Sequence, residues 1–137
     1  MSLKKIKLLF DATFESVDMA RGAINGVCRE IFSDRESEIN DFCLAVTEAM
    51  NNAVEHSGAM EIEVELIAGK DEIKFIMTVQ GEEFDPTAKA AFPDISDDGA
   101  LPEGGFGLAI VQELVDEVEH NYSNGSNILT LKKYFTE

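Results

Sequence analysis

Two hairpin signals constrain the fold of this chain more than any other feature of its sequence. Apolar residues alternate with glutamates from position 61, stop at the turn Gly69-Lys70-Asp71 and alternate again up to position 79. The second signal is Asn124-Gly125, a dipeptide typical of a two-residue hairpin turn, between about Glu117–Ser123 and Ser126–Phe135. Hairpins pair their strands antiparallel, so most of the sheet should be antiparallel. The residues of the first hairpin predicted to face inward are Ile62, Val64, Leu66, Ile73, Phe75, Met77 and Val79.

The part of the chain before the first hairpin predicts a strand and two helices. Alternation from Ile6 predicts a strand that reaches about Phe14, and apolar residues then recur at helical spacing. Ser33 and Glu36 have the spacing of a capping box, which predicts the start of a second helix that ends near Ser57-Gly58. The apolar positions of these two helices are Val17, Ala20, Ile24, Val27, Ile31, Ile39, Phe42, Val46, Met50 and Ala53.

A third amphipathic helix, from Leu108 to Val118, is predicted between the two hairpins. The order strand, helix, helix, hairpin, helix, hairpin predicts an α+β fold, a two-layer sandwich in which helices cover one face of a mostly antiparallel sheet. The 137 residues are 45% hydrophobic and show no linker, so residues 1–137 should form one domain.

Charge and cysteine usage limit the partners and the compartment. The net charge of −16 repels nucleic acid and anionic membranes and suits a partner with a basic face, although much of it also serves solubility. Cys28 and Cys43 lie among apolar residues of predicted helices, which favours buried, reduced thiols over a disulfide. No signal peptide and no apolar run of bilayer length is evident, so we expect a cytoplasmic protein.

The second helix contains an acid and an amide one turn apart, Glu48 and Asn52. A helical wheel places both on the polar side with Glu55, and places His56 at its flank. An ordinary solvated helix face would explain any one of them, but two adjacent asparagines are unfavourable in the middle of a helix, a cost typical of functional sites. The amide oxygen of Asn52 suits Mg²⁺, and the Glu48 carboxylate could accept a proton from a nucleophile that attacks a phosphate.

A glycine-rich loop precedes the third predicted helix and contains Gly104, Gly105 and Gly107. Glycines let a phosphate approach the backbone, and the first amides of the helix supply donors and a positive field. The loop lacks the Gly-Lys-Ser/Thr ending of a P-loop, and no parallel βαβ unit surrounds it. Residues 81–103 show no clear periodicity, so they form either a functional lid or a plain surface loop.

Taken together, these segments resemble the GHKL (Bergerat-fold) ATPase superfamily. The pattern E-x-x-x-N-A-x-x-H matches Glu48, Asn52, Ala53 and His56, and the stretch 101–108 is similar to small bacterial anti-sigma-factor serine kinases of the stress-response and sporulation type. The resemblance extends over essentially the whole chain. It implies that Mg²⁺ and ATP are the cofactors, that Glu48 is the general base and that Asn52 is the Mg²⁺ ligand.

The same resemblance implies further site residues and partners. An ATP lid would occupy about residues 81–104. The protein would phosphorylate a serine of an anti-sigma factor antagonist, sequester a sigma factor and form a homodimer. The implied nucleotide-binding residues, besides Asn52, are His56, Gly81, Asp85, Gly104, Gly105, Phe106, Gly107 and Leu108.

One residue departs from the family pattern. Val79 stands where the D-x-G-x-x-F-D pattern has its adenine-binding aspartate, while Gly81, Phe84 and Asp85 match. A plain core valine is the simple explanation. Two hypotheses therefore follow: a protein serine kinase with weaker adenine recognition, or a non-catalytic anti-sigma or adaptor protein on the same fold. A third, less favoured hypothesis is that the sequence is the catalytic domain of a histidine kinase, cut from a larger chain.

Overall fold

The computed structural model describes residues 4–83 and 111–135. Within these ranges the main elements are five strands and two long helices. In chain order they are β1 (Lys4–Asp11), α1 (Phe14–Ile31), α2 (Glu36–His56), β2 (Glu61–Ala68), β3 (Glu72–Gln80), β4 (Glu117–Ser123) and β5 (Ser126–Tyr134).

The strands form one sheet in the order β1-β2-β3-β5-β4, with every pair antiparallel. Burial alternates along β2 and β3, so one face of the sheet packs into the core while the other faces solvent. The buried face shares its core with apolar residues of α1 and α2. The predicted α+β sandwich with an antiparallel sheet is therefore confirmed.

Both predicted hairpins are present at the predicted positions. Gly69 N donates to Glu72 O at 2.8 Å, and Ala68 pairs with Ile73 across the first turn. At the second turn Asn124 has φ 52° and Gly125 φ 77°, the two consecutive positive values that a type I′ turn requires. The first turn determines the register of β2 and β3. Val79 in β3 is buried in the core, as the alternation of side chains along that strand predicted.

The first helix begins where the first strand was expected to continue. β1 ends at Asp11, and the Thr13 side chain caps α1 by accepting a hydrogen bond from Ser16 N at 3.1 Å. Phe14 is thus the first helical residue, and the prediction that the strand reaches about Phe14 was wrong: the strand ends at Asp11.

The predicted capping box of the second helix is wrong. α2 starts at Glu36 with Arg35 as its N-cap, and no side chain caps it. The Glu36 carboxylate instead accepts a hydrogen bond from Arg29 Nη1 at 2.6 Å, which removes it from any box with Ser33. The predicted end of this helix is confirmed, because α2 stops at His56 with Ser57 as its C-cap.

The third predicted helix is only partly within the described residues. Residues 111–114 are helical, and Val111 and Val115 are buried. Val118 lies in β4, so the helix ends earlier than its spacing predicted, and Leu108 lies outside the described residues. Among the described helices, none is long and apolar enough to cross a membrane.

Candidate functional site

The helix α2 positions Glu48, Asn52 and His56 on three successive turns. Asn52 is only 4% exposed, Glu48 is half-buried and His56 is exposed. The prediction that Asn52 lies on the solvated face of the helix was therefore wrong. A wheel assumes that a helix has one buried side, whereas α2 buries a wide arc; its buried residues are Ile39, Phe42, Cys43, Ala45, Val46, Ala49, Met50, Asn52 and Ala53.

The buried amide of Asn52 has an unsatisfied donor. Among the described residues, Asn52 Nδ2 is the one buried side-chain nitrogen or oxygen atom without a hydrogen-bond partner. An orphaned buried donor of this kind costs about 1–3 kcal/mol, so a native structure keeps it for a reason. A phosphate oxygen would satisfy the nitrogen, and the amide oxygen is a hard donor suited to Mg²⁺.

The residues present thus fit a Mg²⁺-nucleotide. Mg²⁺ commonly takes one or two protein oxygens and completes its shell with substrate phosphates and waters. A single amide from Asn52 is compatible with that pattern. Within residues 4–83 and 111–135 no group of three or more His, Cys, Asp or Glu side chains could hold a metal by itself.

Gly81, immediately after β3, lies against the end of α2. A Cβ built at Gly81 would come 3.0 Å from Ser57 O, and Gly81 has φ +143°. Its amide donates to Gly125 O at 2.9 Å, and its carbonyl accepts from the Tyr122 hydroxyl at 3.0 Å. The structure therefore brings the predicted site residue Gly81 next to the C-terminal turn of α2, the turn that contains His56.

Val79 is 1% exposed, and its neighbour across the sheet is polar. Asn127 pairs with Val79 in the register between β3 and β5 and is itself only 2% exposed. Asn127 Nδ2 donates to Glu82 O at 2.9 Å, so Oδ1 must be the atom that faces His120 Nε2 at 3.2 Å and accepts from it. The position where the family pattern has a carboxylate is therefore apolar, beside a hydrogen-bonded amide.

Sequence reasoning did not identify Asn127, His120 or Tyr122 as neighbours of the site. All three lie in the second hairpin: Asn127 donates to Glu82 O and accepts from His120, and Tyr122 donates to Gly81 O. A prediction would have required the pairing of β3 with β5, strands that are far apart in the sequence. The polar character of Asn127 at an inward position of β5 was the available signal.

Several predicted site residues lie outside the described part of the chain, as does most of the predicted lid at 81–104. These residues are Asp85, Gly104, Gly105, Phe106, Gly107 and Leu108.

Comparison with known proteins gives consistent matches. Residues 10–133 match the family described as the histidine kinase-like ATPase domain. The chain is 31% identical to the serine-protein kinase RsbW of Staphylococcus epidermidis, over 93% of this chain and 85% of that protein. It is 32% identical to the RsbW of Oceanobacillus iheyensis, over 96% of this chain and 87% of that protein.

Solved structures share the fold. A crystal structure of RsbU and RsbW domains from Mycobacterium tuberculosis superposes with a TM-score of 0.67 at 21% identity, covering 98% of this chain and 33% of that one. The histidine kinase AdeS of Acinetobacter baumannii gives a TM-score of 0.54 at 16% identity, covering 96% of this chain and 68% of that one.

Proposed function

The chain belongs to the family of histidine kinase-like ATPase domains, and on that premise we propose that it is an ATP-dependent protein serine kinase that acts as an anti-sigma factor. Its substrate would be a serine of an anti-sigma factor antagonist, and its second partner a sigma factor, which places its action in the cytoplasm. The observation that carries the proposal is the buried, unsatisfied amide of Asn52 one turn from Glu48. The similarity to serine-protein kinases over most of the chain supports it.

Glu48 and Asn52 have distinct roles in this proposal. The half-buried Glu48 carboxylate accepts the proton of the attacking serine hydroxyl, a contribution worth about 10²- to 10⁴-fold in rate. Asn52 Oδ1 would hold Mg²⁺, which when bound neutralises the charge of the phosphates. Asn52 Nδ2 would donate to a phosphate oxygen and so lose its unsatisfied state.

The remaining predicted contacts complete the nucleotide site. Gly81, beside the end of α2, and the exposed His56 would border it from the described part of the chain. Asp85 and the glycine segment 104–108 would supply the lid contacts and the phosphate-binding amides. We assign these roles on the family pattern.

Adenine recognition is the weak part of the site. Val79 cannot accept a hydrogen bond from the adenine amino group, and a charged hydrogen bond contributes about 1.5–3 kcal/mol. The expected loss of ATP affinity is therefore about 10- to 150-fold relative to a relative that has the aspartate.

The edge strand β1 is the surface we assign to a homodimer. β1 is the first strand of the sheet, and the exposed Leu9 and Met19 line a cavity of about 260 Å³ between β1 and α1. A two-fold antiparallel pairing centred on Leu8 would place Lys5 of one copy opposite Asp11 of the other, a complementary pair.

The oligomeric state tests this surface directly. The wild-type chain should elute in light-scattering chromatography at twice the chain mass of 15.1 kDa. Leu9→Glu combined with Met19→Glu should give monomer, whereas Met60→Glu, at an exposed methionine before β2, should not. A monomeric wild type, or an unaffected double variant, would rule the surface out.

Titration calorimetry with ATP, with and without Mg²⁺, tests the nucleotide site. Asn52→Leu removes the orphaned donor, so the variant without ligand should be more stable by about 1–3 kcal/mol yet should lose Mg²⁺-dependent binding. A variant that loses both stability and binding would point to a purely structural Asn52.

Phosphate transfer to the antagonist tests the chemistry. Glu48→Gln should abolish transfer while ATP binding persists, and Glu55→Gln, at an exposed acid of the same helix, should leave transfer unchanged. Equal activity of the two variants would contradict the role of Glu48.

A second function is favoured by one observation, the burial of Val79. A non-catalytic protein on this fold would sequester a sigma factor or an antagonist without ATP turnover. Absence of any binding heat at millimolar ATP, together with retained binding of a protein partner, would replace the kinase proposal with this one.

A further inference from the structure

The chain contains the dipeptide Asn-Gly twice, in two different structural settings. Asn25-Gly26 lies in the middle of α1, whereas Asn124-Gly125 forms the turn between β4 and β5. Asparagine is among the thermolabile residues of proteins. It loses its side-chain amide when the next backbone nitrogen attacks its carbonyl carbon, and a following glycine favours this attack because no Cβ crowds the approach. The fold therefore determines which of the two dipeptides can react.

The helix α1 protects Asn25. Gly26 is an interior residue of α1, and helical amides donate to the carbonyl four residues earlier, so the attacking nitrogen is already engaged. Asn25 Oδ1 accepts from Arg29 Nε at 2.8 Å, and Asn25 Nδ2 donates at 3.4 Å to Cys43, which is a buried, free thiol as the sequence predicted. The side chain would have to leave both partners, and the helix would have to open, before the reacting atoms could meet.

The hairpin turn leaves Asn124 accessible. Asn124 is exposed and has φ 52°, and the strand ladder closes at the pair Ser123 and Ser126. The Gly125 amide therefore lies in the turn and not in the ladder. Ring closure requires the turn to leave its positive-φ conformation. A hairpin tip can do this by a local opening, whereas α1 would have to unwind.

This turn is bonded to the candidate functional site through Gly81. Gly125 O accepts from Gly81 N at 2.9 Å. Tyr122, in the same hairpin, donates its hydroxyl to Gly81 O at 3.0 Å. Any change in the length of the turn backbone would move Gly125 O, so the bond to Gly81 N depends on the covalent structure of the turn.

We propose that Asn124 is a site of spontaneous modification, at which the Asn-Gly turn converts through a succinimide into aspartate or isoaspartate, and that the isoaspartate form releases Gly81 N from the hairpin. The two products differ in their backbone. Aspartate keeps the normal backbone, and Asp-Gly suits the same type I′ turn. Isoaspartate carries the backbone through its Cβ and Cγ, which adds an atom to a turn built for two residues and displaces Gly125 O.

The chemistry balances in two steps and needs only water. The Gly125 nitrogen attacks Cγ of Asn124, the N–Cγ bond forms, and the bond from Cγ to the side-chain nitrogen breaks. That nitrogen leaves as ammonia with the proton that Gly125 N carried. Water then attacks one of the two ring carbonyls. Opening at Cγ gives aspartate, and opening at the main-chain carbonyl carbon gives isoaspartate.

The first test ages the full chain at mildly alkaline pH, where the attacking amide loses its proton more readily. Trypsin then releases Asn25 in the peptide 22–29 and Asn124 in the peptide 90–132. Mass spectrometry measures the exchange of NH₂ for OH and locates it by fragmentation, and a protein-isoaspartate methyltransferase labels the isoaspartate.

In the folded chain Asn124 should convert at least about tenfold faster than Asn25, because only α1 has to unwind. In guanidinium the two rates should converge, since the fold no longer distinguishes the dipeptides. Asn124→Gly keeps the turn but cannot form the ring, so the mass change in the peptide 90–132 should disappear. Equal rates in the folded chain, or an intact Asn124 after the unfolded chain has reacted, would overturn the proposal.

The second test measures the link to Gly81 by urea unfolding. Asn124→Asp reproduces the aspartate product and should keep the wild-type midpoint. The aged, deamidated chains should unfold at a midpoint lower by roughly 0.3–1 M, as expected for the loss of the hydrogen bond to Gly81 N. Treatment with the methyltransferase and its methyl donor, which returns isoaspartate to aspartate, should restore the midpoint. Aged chains that unfold with the Asn124→Asp midpoint would show that the modification does not reach Gly81.

Discussion

Gly81 provides a sharp test of how the candidate site is built, through the substitution Gly81→Ala. Gly81 follows β3 and lies against the end of α2, where it makes two backbone hydrogen bonds and one close contact. Its amide donates to Gly125 O, its carbonyl accepts from Tyr122, and its Cα faces Ser57 O closely enough that an added Cβ would lie 3.0 Å away. Its φ of +143° is a conformation that residues with a Cβ rarely adopt.

The expected cost has two parts. The backbone conformation alone costs an alanine about 1–3 kcal/mol. The contact adds to this because its partner is the backbone carbonyl of Ser57, the C-cap of α2, and a backbone atom moves aside less easily than the end of a flexible side chain. A total of about 2–4 kcal/mol, with a urea m-value of about 1.5 kcal/mol/M, lowers the unfolding midpoint by roughly 1.3–2.7 M.

Urea unfolding followed by circular dichroism measures this shift, and Gly22→Ala is the matched control. Gly22 lies in α1 with nothing within 4 Å of its added Cβ, so alanine there should raise stability by up to about 1 kcal/mol through helix propensity. The two substitutions should therefore move the midpoint in opposite directions. A Gly81→Ala midpoint within 0.3 M of wild type, as a rough threshold, would refute the close approach of β3 to α2.

Three further outcomes follow from individual contacts. Val79→Asp should tighten ATP binding by about 10- to 150-fold in calorimetry, and an unchanged affinity would contradict the proposed alignment of β3 with the family pattern. Phe135→Ala should cost about 3–5 kcal/mol in urea unfolding, because its buried ring stacks on Phe32 with centroids 4.1 Å apart. The hydrogen bond to Glu117 raises the pKa of Tyr134 to about 12, so its stabilising effect is present below pH 10 and is lost as pH rises through about 12. In a tyrosinate absorbance titration Glu117→Gln should move this step to lower pH, and an unmoved step would exclude the bond.

The sheet could be predicted closely because its signals are local. The period of two in β2 and β3 determines which side chains face the core, and the turn at Asn124-Gly125 determines how β4 and β5 pair. In both hairpins the paired residues are at most 15 positions apart in the sequence, so no long-range information is needed.

The errors arose where the surroundings of a residue are determined by another element of the fold. Glu36 has the spacing of a capping residue, but Arg29 of the preceding helix binds its carboxylate at 2.6 Å. Asn52 looked solvated on a wheel, yet α2 is buried over so wide an arc that the amide is inside. Local spacing cannot distinguish a polar residue that meets water from one that meets another element.

The same reasoning explains why the sequence located the adenine-binding position but did not predict which residues surround it. Strand parity was enough to place Val79 on the inner face, whereas its neighbour Asn127 is set by the pairing of β3 with β5. That amide is bonded to Glu82 O and to His120, so it serves the structure of the site. An adenine amino group would have to compete with these bonds to use it, while Asn52 Nδ2 has no partner to give up within residues 4–83 and 111–135. The phosphate side of the site should therefore contribute more to the free energy of nucleotide binding than the adenine side. We expect the protein's affinity to differ more between ADP and ATP than between adenine and guanine nucleotides.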